Sequence, residues 1–185
     1  MFRLLSKQSN DIPRFGGTVV STSTITTRKA LIEDIERILD IYNQGIEDRI
    51  ATLEMETKDL SYMENWFQEH QGRHTVLVAE KDGKVVGWSS INRYSQRCAY
   101  DGVADLYIYV DREYRGQGIG SSLLPALESE AKANEFYKIV IFTFPFNLSG
   151  QELYRKVGYR EVGVFEKQGV LDGKFIDVMI MEKLL

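Results

Sequence analysis

Two spacings of apolar residues alternate along the chain. In IEDIERILDIYNQGI, residues 32–46, Ile35, Ile38, Leu39, Tyr42 and Ile46 recur every three or four positions. That spacing predicts a helix with one buried face. TKDLSYMENWFQEH, residues 57–70, repeats it with Leu60, Met63, Trp66 and Phe67. IGSSLLPALESEAKAN, residues 119–134, repeats it with Leu123, Leu124, Leu127 and Ala131. Pro125 falls near the first turns of that helix, where a proline disturbs least. SGQELYRKV, residues 149–157, predicts a short helix ended by Gly158. Between these lie runs rich in β-branched and aromatic residues: 23–30, 74–80, 85–94, 103–110, 138–144, 159–169 and 174–185. They predict strands. KIVIFTF, residues 138–144, is almost wholly apolar and suits a sheet centre. Asp82–Gly83 and Asp172–Gly173 are two-residue hairpin signals. The order β-α-α-β-β-β-α-β-α-β-β predicts a mixed α/β domain. Its last two strands run antiparallel, and the third helix crosses between two parallel strands.

Composition bounds the function. The chain has 185 residues, 43% hydrophobic and 27% charged, which fits one globular domain with a core of ordinary size. We assign that domain to residues 24–185, since no repeat or low-complexity linker interrupts them. A net charge of −4 argues against general nucleic-acid binding, and no apolar run is long enough to span a membrane. Cys98 is the single cysteine, which excludes an intrachain disulfide and fits a reducing, cytoplasmic setting. His70, His74 and Cys98 do not make a metal-ligand set, so no metal is expected. Residues 1–23 carry Arg3, Lys7 and Arg14 against a single Asp11, somewhat like a transit peptide. They lack a long amphipathic period, and Pro13 and Gly16–Gly17 interrupt them. An ordered arm, a disordered tail or an upstream start fits better.

The chemistry concentrates in YIYVDREYRGQGIGSSLL, residues 107–124, where Gly116, Gly118 and Gly120 separate a strand from a helix. Free amides at such a helix start favour an anion. A mononucleotide P-loop is excluded because no Gly-Lys pair occurs here. A dinucleotide fingerprint fits poorly. Its third glycine comes one place early, at Gly120, Asp111 to Arg115 intervene after the strand, and the next strand ends without the acidic ribose ligand. The spacing Arg115-x-x-Gly118-x-Gly120 suits amides wrapped around a pyrophosphate, with Arg115 adding charge. Taken alone, the loop leaves this reading and a purely structural turn both open.

The wider context resembles the acetyl-coenzyme A binding core of the Gcn5-related N-acetyltransferase (GNAT) superfamily. The elements from VADLYIYVDREYRGQGIGSSLL through NLSGQELYRKVGY occur in that family's order, and the likeness covers about residues 24–185. A narrower likeness, in IYNQGIEDRIATLE, RCAY and GYREVGVF…DGKFIDVMIM, points to the branch of phosphinothricin, methionine sulfoximine and arsinothricin N-acetyltransferases. The resemblance implies a largely antiparallel sheet flanked by helices. It also implies acetyl-coenzyme A as co-substrate and direct transfer, in a ternary complex, to the α-amine of a glutamate-like amino acid. A polyamine, an aminoglycoside, a protein N-terminus, or coenzyme binding without turnover are the rival readings. By the same resemblance, Arg115, Gly116, Gln117, Gly118, Ile119, Gly120 and Ser121 grip the pyrophosphate. The strand edge Tyr107–Val110 pairs with the pantetheine arm, and an amide near Ile108 or Tyr109 meets the acetyl carbonyl. Asn147 contacts pantetheine or caps a helix, work that Ser149 could share. Tyr154, in LYRKVGY, protonates the leaving thiolate or is an ordinary core tyrosine. Asp105 occupies the family's glutamate position as general base or orients the substrate. Arg49, Thr52, Arg93, Arg97 and Tyr100 are the acceptor-binding candidates, arginine being suited to carboxylates. Relatives often carry a small Thr-Thr pair where this chain has Arg49–Ile50. A homodimer is also expected.

Overall fold

The computed structural model describes residues 24–185, so the N-terminal extension lies outside the described residues. Among the described residues there are seven strands: β1 (Ile25–Lys29), β2 (Val76–Lys81), β3 (Lys84–Arg93), β4 (Val103–Val110), β5 (Lys138–Thr143), β6 (Arg160–Leu171) and β7 (Lys174–Leu184). They form one sheet in the order β1-β2-β3-β4-β5-β7-β6. Every pairing is antiparallel except β4 with β5. Four helices flank the sheet: α1 (Ile35–Glu47), α2 (Leu60–Glu69), α3 (Ile119–Ala133) and α4 (Leu148–Lys156). As expected, α3 crosses between parallel β4 and β5, and β6 and β7 form an antiparallel hairpin.

The sequence patterns account for most of these elements. Asp59 caps α2 by accepting the amide hydrogen of Tyr62 at 2.8 Å. Both Asp–Gly turns place their two residues at positive φ, Asp82 at 52° and Gly83 at 74°, Asp172 at 49° and Gly173 at 76°. These are the values a type I′ hairpin requires. Pro125 sits inside α3 rather than at its start, so the Ser121 carbonyl loses its usual helical donor. Side-chain alternation along the strands divides the core into two. On one face Val76, Val78 and Trp88 pack with Ile35, Ile38, Ile41 and Met63 of α1 and α2. On the other, Leu77, Ala79 and Leu106 pack with Leu123, Leu124 and Leu127 of α3.

β7 lies inside β6, a placement that the chain order does not announce. Glu182 on β7 stands opposite Val140 of β5 and Arg160 of β6. Its carboxylate pairs with Lys138 on one neighbour and Arg160 on the other. The Lys138 hydrogen bond holds that carboxyl below its ordinary range.

Candidate active site

Three adjoining cavities meet where β4 leaves β5. The parallel ladder pairs only Val103 with Lys138, Ala104 with Ile139 and Asp105 with Val140. Beyond Asp105 the two strands no longer pair, and the middle cavity, of about 320 Å³, opens there. Asp111 donates its amide hydrogen to Val86, and the Asp105 carbonyl accepts from the Asn92 side chain at 3.2 Å. Odd-numbered residues of β4 therefore bond toward β3. By strand alternation the amides of Ile108 and Val110 face the gap, and that of Tyr109 does not.

The middle cavity brings Asp105, Thr52 and Tyr154 together. One carboxylate oxygen of Asp105 is buried without a hydrogen-bond partner. Burial raises this carboxyl to about 7, opposed only by the Leu106 amide. Tyr154, on α4, is 6% exposed, and burial alone pushes its hydroxyl well above the ordinary phenol range.

An outer cavity of about 560 Å³ adjoins on the α1–α2 side. Its walls are aromatic, from Tyr42, Tyr62, Trp66, Trp88 and Tyr107, with Glu54, Glu69 and Arg93 as charged groups. The rings brace one another. Trp88 stacks on Tyr109 at 4.9 Å between centroids and meets Trp66 edge-on at 5.4 Å. His70 lies 2.7 Å from both the Trp66 carbonyl and the Asn92 side-chain oxygen, tying α2 to β3.

A cleft of about 490 Å³ lies on the other side of the middle cavity, between the glycine loop and α4. Gly118 is the N-cap of α3 at φ 87°, a conformation costly for other residues, and no side chain caps the helix. The amides of Ile119, Gly120 and Ser121 are thus left without an internal acceptor. Gly120 lets α4 approach, since a Cβ there would lie 2.5 Å from Leu153 Cδ2. Donors turned outward at a bare helix start, beside Arg115 and Lys156, fit a pyrophosphate.

The acetyltransferase (GNAT) family model matches residues 35–159, which span the helices, the glycine loop and the diverging strands. The chain belongs to the acetyltransferase (GNAT) family. It is 27% identical, over 84% of its length and 91% of the relative's, to an L-methionine sulfoximine/L-methionine sulfone acetyltransferase of Pseudomonas paraeruginosa. Among solved structures it resembles a GNAT superfamily phosphinothricin acetyltransferase of Sinorhizobium meliloti in complex with AcCoA. The TM-score is 0.83 at 27% identity, covering 88% of this chain and 89% of that one. It also resembles a ribosomal-protein-alanine N-acetyltransferase of Brucella melitensis, with TM-score 0.84 at 29% identity, covering 86% and 99%. The mixed seven-stranded sheet is the GNAT fold, and the protein is an acetyltransferase.

The GNAT frame sorts the residues singled out from the sequence. Asp105, Ile108, Tyr109, Tyr154, Asn147 and Thr52 line the middle cavity. Val110, Arg115, Gly116, Gly118, Ile119, Gly120 and Ser121 line the cleft. Asn147 caps α4, accepting from the Gly150 amide at 3.1 Å, and also borders both the middle cavity and the cleft. Gln117 turns its side chain away, donating to the Glu113 carbonyl and accepting from Lys81 at 2.6 Å. Arg115 pairs with Asp48 at 2.6 Å, so much of its charge is already matched.

Arg49 sits elsewhere than expected. With φ at 58°, it donates to the carbonyls of Ile46, Glu54 and Met55 and pairs with Asp172 at 3.1 Å. It shapes the segment 50–54 that roofs the cavities and lines none of them. Arg97 is exposed and lines none of these three cavities, and Tyr100 borders a small side pocket of about 70 Å³ instead. Arg93 is the one arginine on the outer cavity's wall. We expect Arg93→Ala to raise KM for an amino-acid acceptor about tenfold, and Arg97→Ala to leave it within twofold. Steady-state thiol release measures both. The aromatic wall leaves no mark in the sequence, because Tyr42 and Trp66 fit an ordinary buried helix face. Lys156 and Gln168 line the site with no motif to mark them.

Proposed function

We propose that this enzyme transfers the acetyl group of acetyl-coenzyme A directly to the α-amine of a small amino acid, within a ternary complex. One observation carries the reading: the parallel ladder ends at Asp105, and beyond it the middle cavity and the cleft share Ile108, Tyr109, Asn147 and Tyr154 as common walls. Acetyl-coenzyme A supplies an electrophilic thioester carbonyl and a thiolate leaving group. The free amides of α3's first turn and Lys156 hold its pyrophosphate, and the Ile108 amide faces the acetyl oxygen, where charge gathers. Asp105 takes one proton from the acceptor ammonium. The Tyr154 hydroxyl donates a hydrogen bond to the departing sulfur. With its proton held more tightly than a thiol holds its own, Tyr154 stabilises the thiolate rather than giving that proton up. The second nitrogen proton ends on the sulfur.

The charges of the outer cavity favour a zwitterion over a doubly anionic acceptor, since Arg93 is its single arginine and Glu54 and Glu69 face it. Its aromatic walls suit a methionine-like side chain, in keeping with the methionine sulfone relative. The likeness to a protein-alanine acetyltransferase keeps a peptide N-terminus as the second reading. An acceptor screen with phosphinothricin, methionine sulfoximine, methionine sulfone, arsinothricin, glutamate, spermidine and an alanyl peptide decides by thiol release. Turnover of the sulfone or sulfoximine alone supports the first reading, and turnover of the peptide alone replaces it.

We assign the enzyme to the cytoplasm on the strength of its single cysteine, Cys98, which suits a reducing compartment. Val162, Val164, Phe165, Val170 and Phe175 are exposed on the two sides of the outer hairpin, which supports a homodimer through that hairpin. Sedimentation at one monomer mass would exclude it.

A further inference from the structure

The acceptor must pass from the outer cavity to the thioester as an ammonium that can still lose a proton. Glu54, Tyr42 and Tyr107 line both the outer and the middle cavity, and Glu54 is the one carboxylate to do so. The segment carrying it is fixed by Arg49, which donates to the Glu54 carbonyl at 3.2 Å. The charge of Glu54 acts on both phenols: burial raises the hydroxyls of Tyr42 and Tyr107, and Glu54 adds to the rise in each. The protein's own ammonium shows what this corner accepts. Lys58 Nζ lies 2.5 Å from Glu54 Oε2 and 5.2 Å from the centroid of the Tyr62 ring, another wall of the cavity. A carboxylate beside electron-rich ring faces is a site for an alkylammonium.

We propose that Glu54 receives the ammonium group of the incoming acceptor at the boundary of the two cavities, displacing Lys58, before Asp105 takes its proton. The two carboxylates then divide the work. Glu54 is partly solvated and binds the cation. Asp105 is half-buried, with one carboxylate oxygen unpartnered, and serves as the base. The inference rests on the acetyl-transfer reading above but not on the acceptor being an amino acid.

Two measurements test it. The chain's two tryptophans, Trp66 and Trp88, both line the outer cavity, so their fluorescence reports binding there without turnover. Titration with ethylammonium is expected to show tighter binding in Lys58→Met, by about threefold, and about tenfold weaker binding in Glu54→Gln. In steady state, with whichever amine of the screen is turned over, Glu54→Gln raises KM for that amine about tenfold. It leaves kcat and KM for acetyl-coenzyme A within about threefold. Ethylammonium binding that depends on neither residue, or a loss confined to kcat, overturns the proposal. If Glu54→Gln fails to fold, Lys58→Met decides: tighter amine binding supports the assignment, and unchanged or weaker binding ends it. A screen in which only spermidine reacts would refute the amino-acid acceptor while leaving this test intact.

Discussion

Replacing Asp105 by asparagine is expected to lower kcat about a hundredfold to a thousandfold at pH 8, the range by which a positioned base accelerates proton transfer. The wild-type enzyme should lose activity as pH falls through about 7, because protonation near that value removes the base. The variant should lack that limb, and thiol release between pH 5.5 and 9 reads both profiles. Stability should move the opposite way. A carboxyl whose pKa is raised by folding favours the folded state at low pH, where both states hold the proton. That advantage is lost as pH rises from the ordinary 3.8 to about 7, because the unfolded chain ionises first. Asp105→Asn should therefore raise the thermal midpoint at pH 8, by a free energy bounded at about 4 kcal/mol, and leave it unchanged near pH 3.5. A variant turning over within threefold of wild type would leave Asp105 an orienting group only.

Tyr154→Phe is expected to cost about tenfold to a hundredfold in kcat with little change in acetyl-coenzyme A affinity. The loss is smaller than for Asp105 because the hydroxyl stabilises the leaving sulfur without surrendering its proton. Tyr154 is almost fully buried, so the phenylalanine variant keeps the packing and removes one oxygen. A thioester whose thiol leaves more easily should recover much of the loss. Equal loss with both thioesters would assign Tyr154 to packing.

The glycine loop was legible as a strand-to-helix turn because it is local: Gly116, Gly118 and Gly120 sit within five residues, and the first two adopt the positive φ that glycine tolerates. The acceptor side was not. It is assembled from α1, α2, β3 and the roof segment, and an aromatic residue on a helix face reads the same whether it meets core or cavity. Arg49 and Arg97 illustrate the limit. An arginine's chemistry suits an anionic substrate, but a guanidinium that finds three carbonyls and Asp172 nearby becomes a brace. The helices were readable from their period, the strands from their β-branched and aromatic runs, and both Asp–Gly turns from their residues. The seat of β7 was not, because it depends on pairs such as Glu182 with Lys138 and Arg160, which only the folded register brings together.

The order in which strands leave the ribosome differs from their order across the sheet. β6 is made before β7, yet it touches the sheet only through β7. A nascent chain that has emerged as far as β6 therefore carries an orphan strand, and one long edge of β5, with its apolar Ile139, Val140 and Ile141, stands bare. Such an edge invites pairing with another chain. Recombinant yield should thus respond to slow translation and to chaperones more than its modest size suggests.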